Sequence, residues 1–158
     1  MPDTIVIDTA EAPGPEGDGE LLAAFARLLP QLAPGIALPT REQLHELLGA
    51  PGTTLLLARD RAQCGRIVGI CTLMRQRIPS GVRATIEDVV VDEGARGRGI
   101  GAALTREALR LARALGARDV DLTSSPSREA ANRLYLRLGF TRRETNVYRY
   151  DLARDDTT

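Results

Sequence analysis

The sequence predicts an α/β fold, a mixed sheet with helices packed on its faces. Short β-branched runs recur along the chain, separated by tracts whose apolar residues return at three- and four-residue spacing and stop at glycine. Three of the strand-like runs also follow one another through connectors too short to hold a helix. The expected order is β-α-α-β-β-β-α-β-α-β. At 158 residues it fits a single domain, large enough to bury a core.

TIVIDTA (Thr4–Ala10) reads as the first strand and EAPGPEGDGE as a Gly/Pro-rich loop. From Leu21, LLAAFARLLPQLA sets Leu21, Phe25, Leu28 and Leu32 on one helical face, with Pro30 expected to kink or end the helix. The next helix has Thr40 as N-cap and Gln43 at capping-box spacing. Leu44, Leu47 and Leu48 form its buried face, and Gly49 and Pro51 stop it. TTLLLARD (Thr53–Asp60) and RIVGICTLMRQRI (Arg66–Ile78) are strands joined by RAQCG, and a second turn leads into TIEDVVVDE (Thr85–Glu93). An amphipathic helix runs from Gly99 to about Leu115, with Ile100, Leu104, Ala108, Leu111 and Leu115 on one face and Gly116 at its end. DVDLTSS reads as another strand. SREAANRLYLRLGF reads as a helix with Ala131, Leu134 and Leu138 inward, and RRETNVYRYDL as a last strand or hairpin. The final residues, 153–158, are expected to fray.

Composition narrows the function. The 21 basic and 21 acidic residues cancel, so no global field draws the chain to nucleic acid or to an anionic membrane. Every basic residue is arginine, which leaves no lysine on the chain itself to modify. Cys64 and Cys71 match neither a metal spacing nor a disulfide framework, and no metal site is expected. They suggest reduced thiols in a soluble, unprocessed cytoplasmic protein, since no apolar run reaches the roughly 18 residues of a spanning helix.

The chemistry concentrates in ARGRGIGAAL, where Gly97, Gly99 and Gly101 alternate as a helix is about to begin. A glycine-rich turn from strand into helix presents unpaired N–H groups and the positive end of the helix dipole to an anion. Arg96 and Arg98 add side chains suited to phosphate. The plainer reading is a flexible turn with two solvated arginines. GRGIGA also fits the dinucleotide fingerprint, but most of the chain precedes it, and Asp119 and Asp121 begin the next strand where the fingerprint wants an acid at its end.

VVVDEGARGRGIGAAL resembles the acyl-CoA signature of the GNAT superfamily of N-acetyltransferases, its core met by Arg96, Gly99 and Gly101. NRLYLRLGF is similar to that family's second signature, a helix bearing a tyrosine and ending in Gly-Phe. The resemblance implies the GNAT acyl-CoA N-acyltransferase fold. It also implies acetyl-CoA as co-substrate and direct acetyl transfer to a primary amine of a small molecule or peptide, without a metal. By match, the pantetheine arm lies along Val89, Val90 and Val91. The pyrophosphate rests on main-chain N–H groups of Arg96, Gly97, Arg98, Gly99, Ile100, Gly101 and Ala102.

An ammonium has no lone pair, and amine pKa values lie near ~10.4, so a base must take a proton. Glu87 is the candidate base, and with Asp88 it faces the acceptor; the alternative is an exposed strand face. The IED triplet resembles that of glucosamine-6-phosphate N-acetyltransferases. Tyr135 matches the family's acid; near ~10 it keeps its proton at neutral pH and can donate to the leaving thiolate. A backbone N–H near Val89 would stabilise the developing oxyanion. Where many members carry an asparagine ahead of the tyrosine, this chain has Arg128 after Ser127, with Asn132 further along the same helix. Ser127, Arg128 and Asn132 are therefore the candidates to meet coenzyme A there. His45 is expected to be solvated. Homodimers are common in the family. The alternative to an enzyme is a non-catalytic acyl-CoA-binding or sensing module on the same scaffold.

Overall fold

The computed structural model describes residues 4–12, 14 and 17–154. Five strands, β1 (Ile5–Thr9), β2 (Thr53–Asp60), β3 (Arg66–Ile78), β4 (Gly81–Val91) and β5 (Val120–Asp121), form one sheet in that order. β1 to β4 pair antiparallel, and β5 joins β4 in parallel. α1 (Gly17–Leu32) and α2 (Arg41–Gly49) precede β2; α3 (Ile100–Ala114) and α4 (Glu129–Arg137) flank β5.

The mixed sheet is as expected, and β2 and β3 have the expected bounds. α2 carries its capping box complete: the Gln43 N–H donates to the Thr40 hydroxyl at 3.2 Å, and the Thr40 N–H to the Gln43 side chain at 2.9 Å. α1 starts at Gly17, earlier than its leucine pattern suggested. The buried Asp18 anchors that first turn, its carboxylate 2.8 Å from His45 Nε2 and 3.6 Å from Arg41 Nε. His45 is thus bonded as well as half-solvated. Pro30 does not end α1, which continues to Leu32; it sits in the last turn, where Gln31 donates to the Arg27 carbonyl at 3.0 Å.

The expected last strand does not form. Among the described residues no strand follows α4, and residues 141–151 are exposed, Val147 at 76% and Tyr148 at 88%. β5 is only two residues long and offers little edge for another strand to join. Leu152–Arg154 is a single 3-10 turn; the rest of the expected frayed tail, 155–158, lies outside the described residues.

Core side chains fill both faces of the sheet. Leu56, Val68, Leu73 and Ile86 meet Ile100, Leu104 and Ala108 of α3; Leu55, Leu57, Ile67 and Ile70 meet Leu21, Phe25 and Leu28 of α1 and Leu44 of α2. Gly69 of β3 lets α3 lie close: a Cβ there would stand 3.2 Å from Leu104 Cδ1 and from the Val90 carbonyl, and 3.3 Å from Ile100 Cγ2.

Candidate active site

The site begins with one extra residue in β4. Val90 opposes Ile70 and Val91 opposes Gly69, but Glu87 opposes Thr72, so Asp88 and Val89 together face Cys71. This is a β-bulge, with Asp88 in the left-handed region at φ 51°. Ala84 and Ile86 point to the α3 side; after the bulge Val89 and Val91 again pack there and Val90 packs on the α1 side. The inserted residue places both Glu87 and Asp88 in one cavity on the α1–α2 side.

The bulge also opens the sheet. β4 and β5 pair only at Ala84↔Val120 and Thr85↔Asp121, so beyond Ile86 the outer edge of β4 has no strand partner among the described residues. The Asp92 N–H donates to the Val68 carbonyl, which by antiparallel alternation turns the polar groups of Val89 and Val91 away from β3, onto this edge. Arginines cover both carbonyls. Arg128 donates to Val89 at 3.2 Å, and Arg96 Nε to Val91 at 3.2 Å.

Just past this edge the chain turns into α3. Gly97 and Gly99 take φ of 77° and 76°, with open space where a Cβ would stand. Gly99 is the N-cap and supplies no side-chain cap, and from Gly97 to Ala102 the N–H groups find no acceptor among the described residues; the Arg96 N–H, expected to join them, instead donates to the Glu93 carbonyl at 3.3 Å. Gly101 serves packing instead: a Cβ there would be 3.3 Å from Leu134 of α4. The Arg98 side chain turns away from the N-terminus, donating to the buried Asp60 carboxylate at 2.7 Å and to Thr4 at 3.2 Å. Arg98, with Gln63 and the Ala62 N–H, holds the Asp60 pKa down at about 2. Its guanidinium is therefore a brace for the turn.

Tyr135 of α4 is buried, its ring 5.7 Å from that of Phe140 in an edge-to-face pair. Burial pushes its pKa up; Arg128 pulls it down, and Cys71 raises it further. At neutral pH the side chain is a phenol, able to donate. Asn132 is turned to the loop before α4, donating to the Ser125 carbonyl at 2.9 Å, and the Ser127 hydroxyl lies 2.9 Å from that of Ser125. These bonds hold the loop that carries Arg128.

The cavity under Glu87 and Asp88 has a volume of about 440 Å³. α1 gives it Phe25 and Leu29, the α1–α2 connection Ile36 and Pro39, and β3 Ile70 and Met74. A smaller recess of about 270 Å³ lies beside β1, where Asp8 and Glu20 already pair with Arg59.

Sequence reasoning missed the clamp that fixes the end of β4. Arg27 of α1 donates to Asp92 at 2.9 Å and to the Ile67 carbonyl, while Gln31 accepts from the Glu93 N–H at 2.8 Å. Its only trace in the sequence is a pair of polar residues four apart on the helix that also bears Phe25 and Leu29. Both cysteines are free; burial pushes the Cys71 thiol up to about 12.

Known proteins are similar to this chain in sequence and in fold. The profile of the Acetyltransferase (GNAT) family matches residues 20–140. Glucosamine 6-phosphate N-acetyltransferase 1 of Oryza sativa subsp. japonica is 29% identical over 158 residues, 89% of this chain and 94% of that protein. Mycothiol acetyltransferase of Nocardia farcinica is 35% identical over 139 residues, 86% of this chain but 43% of its own length. Among solved structures, a putative acetyltransferase from Agrobacterium tumefaciens superposes with a TM-score of 0.76 at 25% identity, over 92% of this chain and 99% of that one. An aminoglycoside acetyltransferase from an uncultured soil metagenomic sample, in complex with sisomicin, shares the fold at a TM-score of 0.79 and 20% identity, over 94% and 96% of the two chains. With the profile spanning β2 to β5, the open β4 edge and the glycine turn, the chain belongs to the acetyltransferase (GNAT) family and is an acetyl-CoA-dependent acetyltransferase.

Proposed function

We propose that the chain acetylates a primary amine by direct transfer, with Glu87 as base and Tyr135 as acid. One observation carries this reading: among the described residues, β4 has no strand partner at Val89–Val91, the N–H groups of Gly97–Ala102 have no acceptor, and the buried phenol of Tyr135 feels Arg128, which itself reaches the Val89 carbonyl. Acetyl-CoA fits them, and when bound it supplies the activated acetyl group.

The amides from Gly97 to Ala102 and the helix dipole of α3 hold the pyrophosphate. The main chain of Val89 and Val91 meets the amides of the pantetheine arm in place of the two arginines. Arg98 acts through Asp60 to brace the turn, while Arg128, Ser127 and Asn132 shape the opposite wall. Glu87 takes the proton the acceptor ammonium must lose, through water or directly. The Val89 N–H steadies negative charge on the carbonyl oxygen, and Tyr135 returns a proton to the sulfur as the C–S bond breaks. The two free thiols support a cytoplasmic setting.

The test is thiol release from acetyl-CoA with a panel of amines. Tyr135→Phe keeps the ring that packs on Phe140 and is expected to lower kcat by about a hundredfold, as is Glu87→Gln. Acetyl-CoA binding without thiol release for any amine would support the non-catalytic alternative.

A further inference from the structure

Resting on that reading, we infer that the acceptor is a cationic amine with an apolar body, and that sugar phosphates and polycationic aminoglycosides are poor substrates. The cavity beneath Glu87 and Asp88 carries the inference. Nine of its thirteen lining residues are apolar, two are threonines, and the remaining two are the carboxylates at its β4 end. Among the described residues no arginine or histidine lines it.

Cations nearby are committed elsewhere. Arg27, on the same helix as Phe25 and Leu29, is held by Asp92 and the Ile67 carbonyl. Arg41 and His45 of α2 point to Asp18. Arg128 reaches β4 from the other side, at the Val89 carbonyl. A phosphate in this cavity would leave water, meet two carboxylates and gain no counter-charge. A sugar's hydroxyls would lose their water against Phe25, Leu29, Ile36, Leu47 and Met74; among the described residues, Thr53 and Thr72 are the lining side chains that offer uncharged polar partners.

An ammonium is served at one end only. The bulge turns Glu87 and Asp88 the same way, so one can hold the ammonium while the other takes its proton. The rest of the molecule then buries apolar surface against α1, α2 and the floor of the sheet. At about 440 Å³ the space equals roughly 15 waters of liquid, enough for an arylalkyl or alkyl amine. Several cationic centres, as on an aminoglycoside, would leave all but one facing hydrocarbon.

The test compares phenethylamine and hexylamine with glucosamine 6-phosphate and kanamycin as acceptors, and measures binding of each to the coenzyme A-loaded chain by saturation-transfer NMR. The two apolar amines are expected to exceed glucosamine 6-phosphate in kcat/KM by about a hundredfold or more. Asp88→Asn is the matching variant, because asparagine tolerates the left-handed backbone that Asp88 adopts. It should raise KM for phenethylamine about tenfold. Faster turnover of glucosamine 6-phosphate or kanamycin, or an unchanged KM in Asp88→Asn, overturns the inference and leaves the acetyltransfer reading standing. Thiol release with none of the amines defeats that reading instead, and the NMR binding order then decides the inference by itself.

Discussion

Arg128 donates to the main-chain carbonyl of Val89 at 3.2 Å, closing from the β5–α4 loop an edge that β5 leaves open. An open edge invites pairing with foreign strands, and a charged cap blunts it. The same guanidinium opposes burial at Tyr135, the phenol's other titratable neighbour being Cys71. Arg128→Gln should therefore let Tyr135 keep its proton to a higher pH than in the wild type. NMR titration of carbon-13-labelled tyrosine measures this directly, and an unmoved Tyr135 midpoint would show that the two do not interact.

Asp60 should make the glycine turn sensitive to acid. Its folded pKa, held at about 2 by Arg98, Gln63 and Ala62, lies below the ~3.9 of an unfolded aspartate. A depressed pKa contributes stability that is complete above the unfolded value and fades as pH falls through the folded one. Asp60→Asn should melt below the wild type at neutral pH, and the gap between them should close between about pH 4 and pH 2. Thermal melts across that window provide the check; a gap independent of pH would assign the loss to packing.

Gly69→Ala should destabilise the fold by about 1–3 kcal/mol in urea unfolding, because the new methyl meets the rigid Val90 carbonyl as well as Ile100 and Leu104. A neutral result would mean that α3 is free to lift.

Gly99→Ala is expected to cost about 1–2 kcal/mol from its left-handed backbone alone and to weaken coenzyme A binding. Gly35→Ala is the control: φ is 78°, the surroundings are equally open, and the position lies outside the site. Calorimetry should find coenzyme A affinity reduced in the first variant only. Equal loss in both would detach the turn from the cofactor.

Local signals in the sequence were reliable wherever neighbouring residues decide the structure. Thr40 and Gln43 cap α2 from three residues apart, and the β-branched runs of β2 and β3 need only each other to pair. Gly97 and Gly99 sit at the strand-to-helix turn as their spacing indicated. Long-range features were hidden. Nothing in TIEDVVV marks Asp88 as the inserted residue, since the bulge is set by how β3 and β4 register. Arg98 looked like a phosphate ligand because its partner, Asp60, lies 38 positions away. RRETNVYRYDL alternates like a strand, yet a strand also needs an edge to join, and β5 is too short to provide one.

α1 bears Phe25 and Leu29 toward the amine cavity, and Arg27 and Gln31 toward the segment that feeds the glycine turn. One helix thus touches both the cavity proposed for the acceptor and the end of β4. On the proposed reading, an amine that shifted the helix on entering would strain or relax the grip on the diphosphate, and by reciprocity the nucleotide end would tune how readily the amine is admitted.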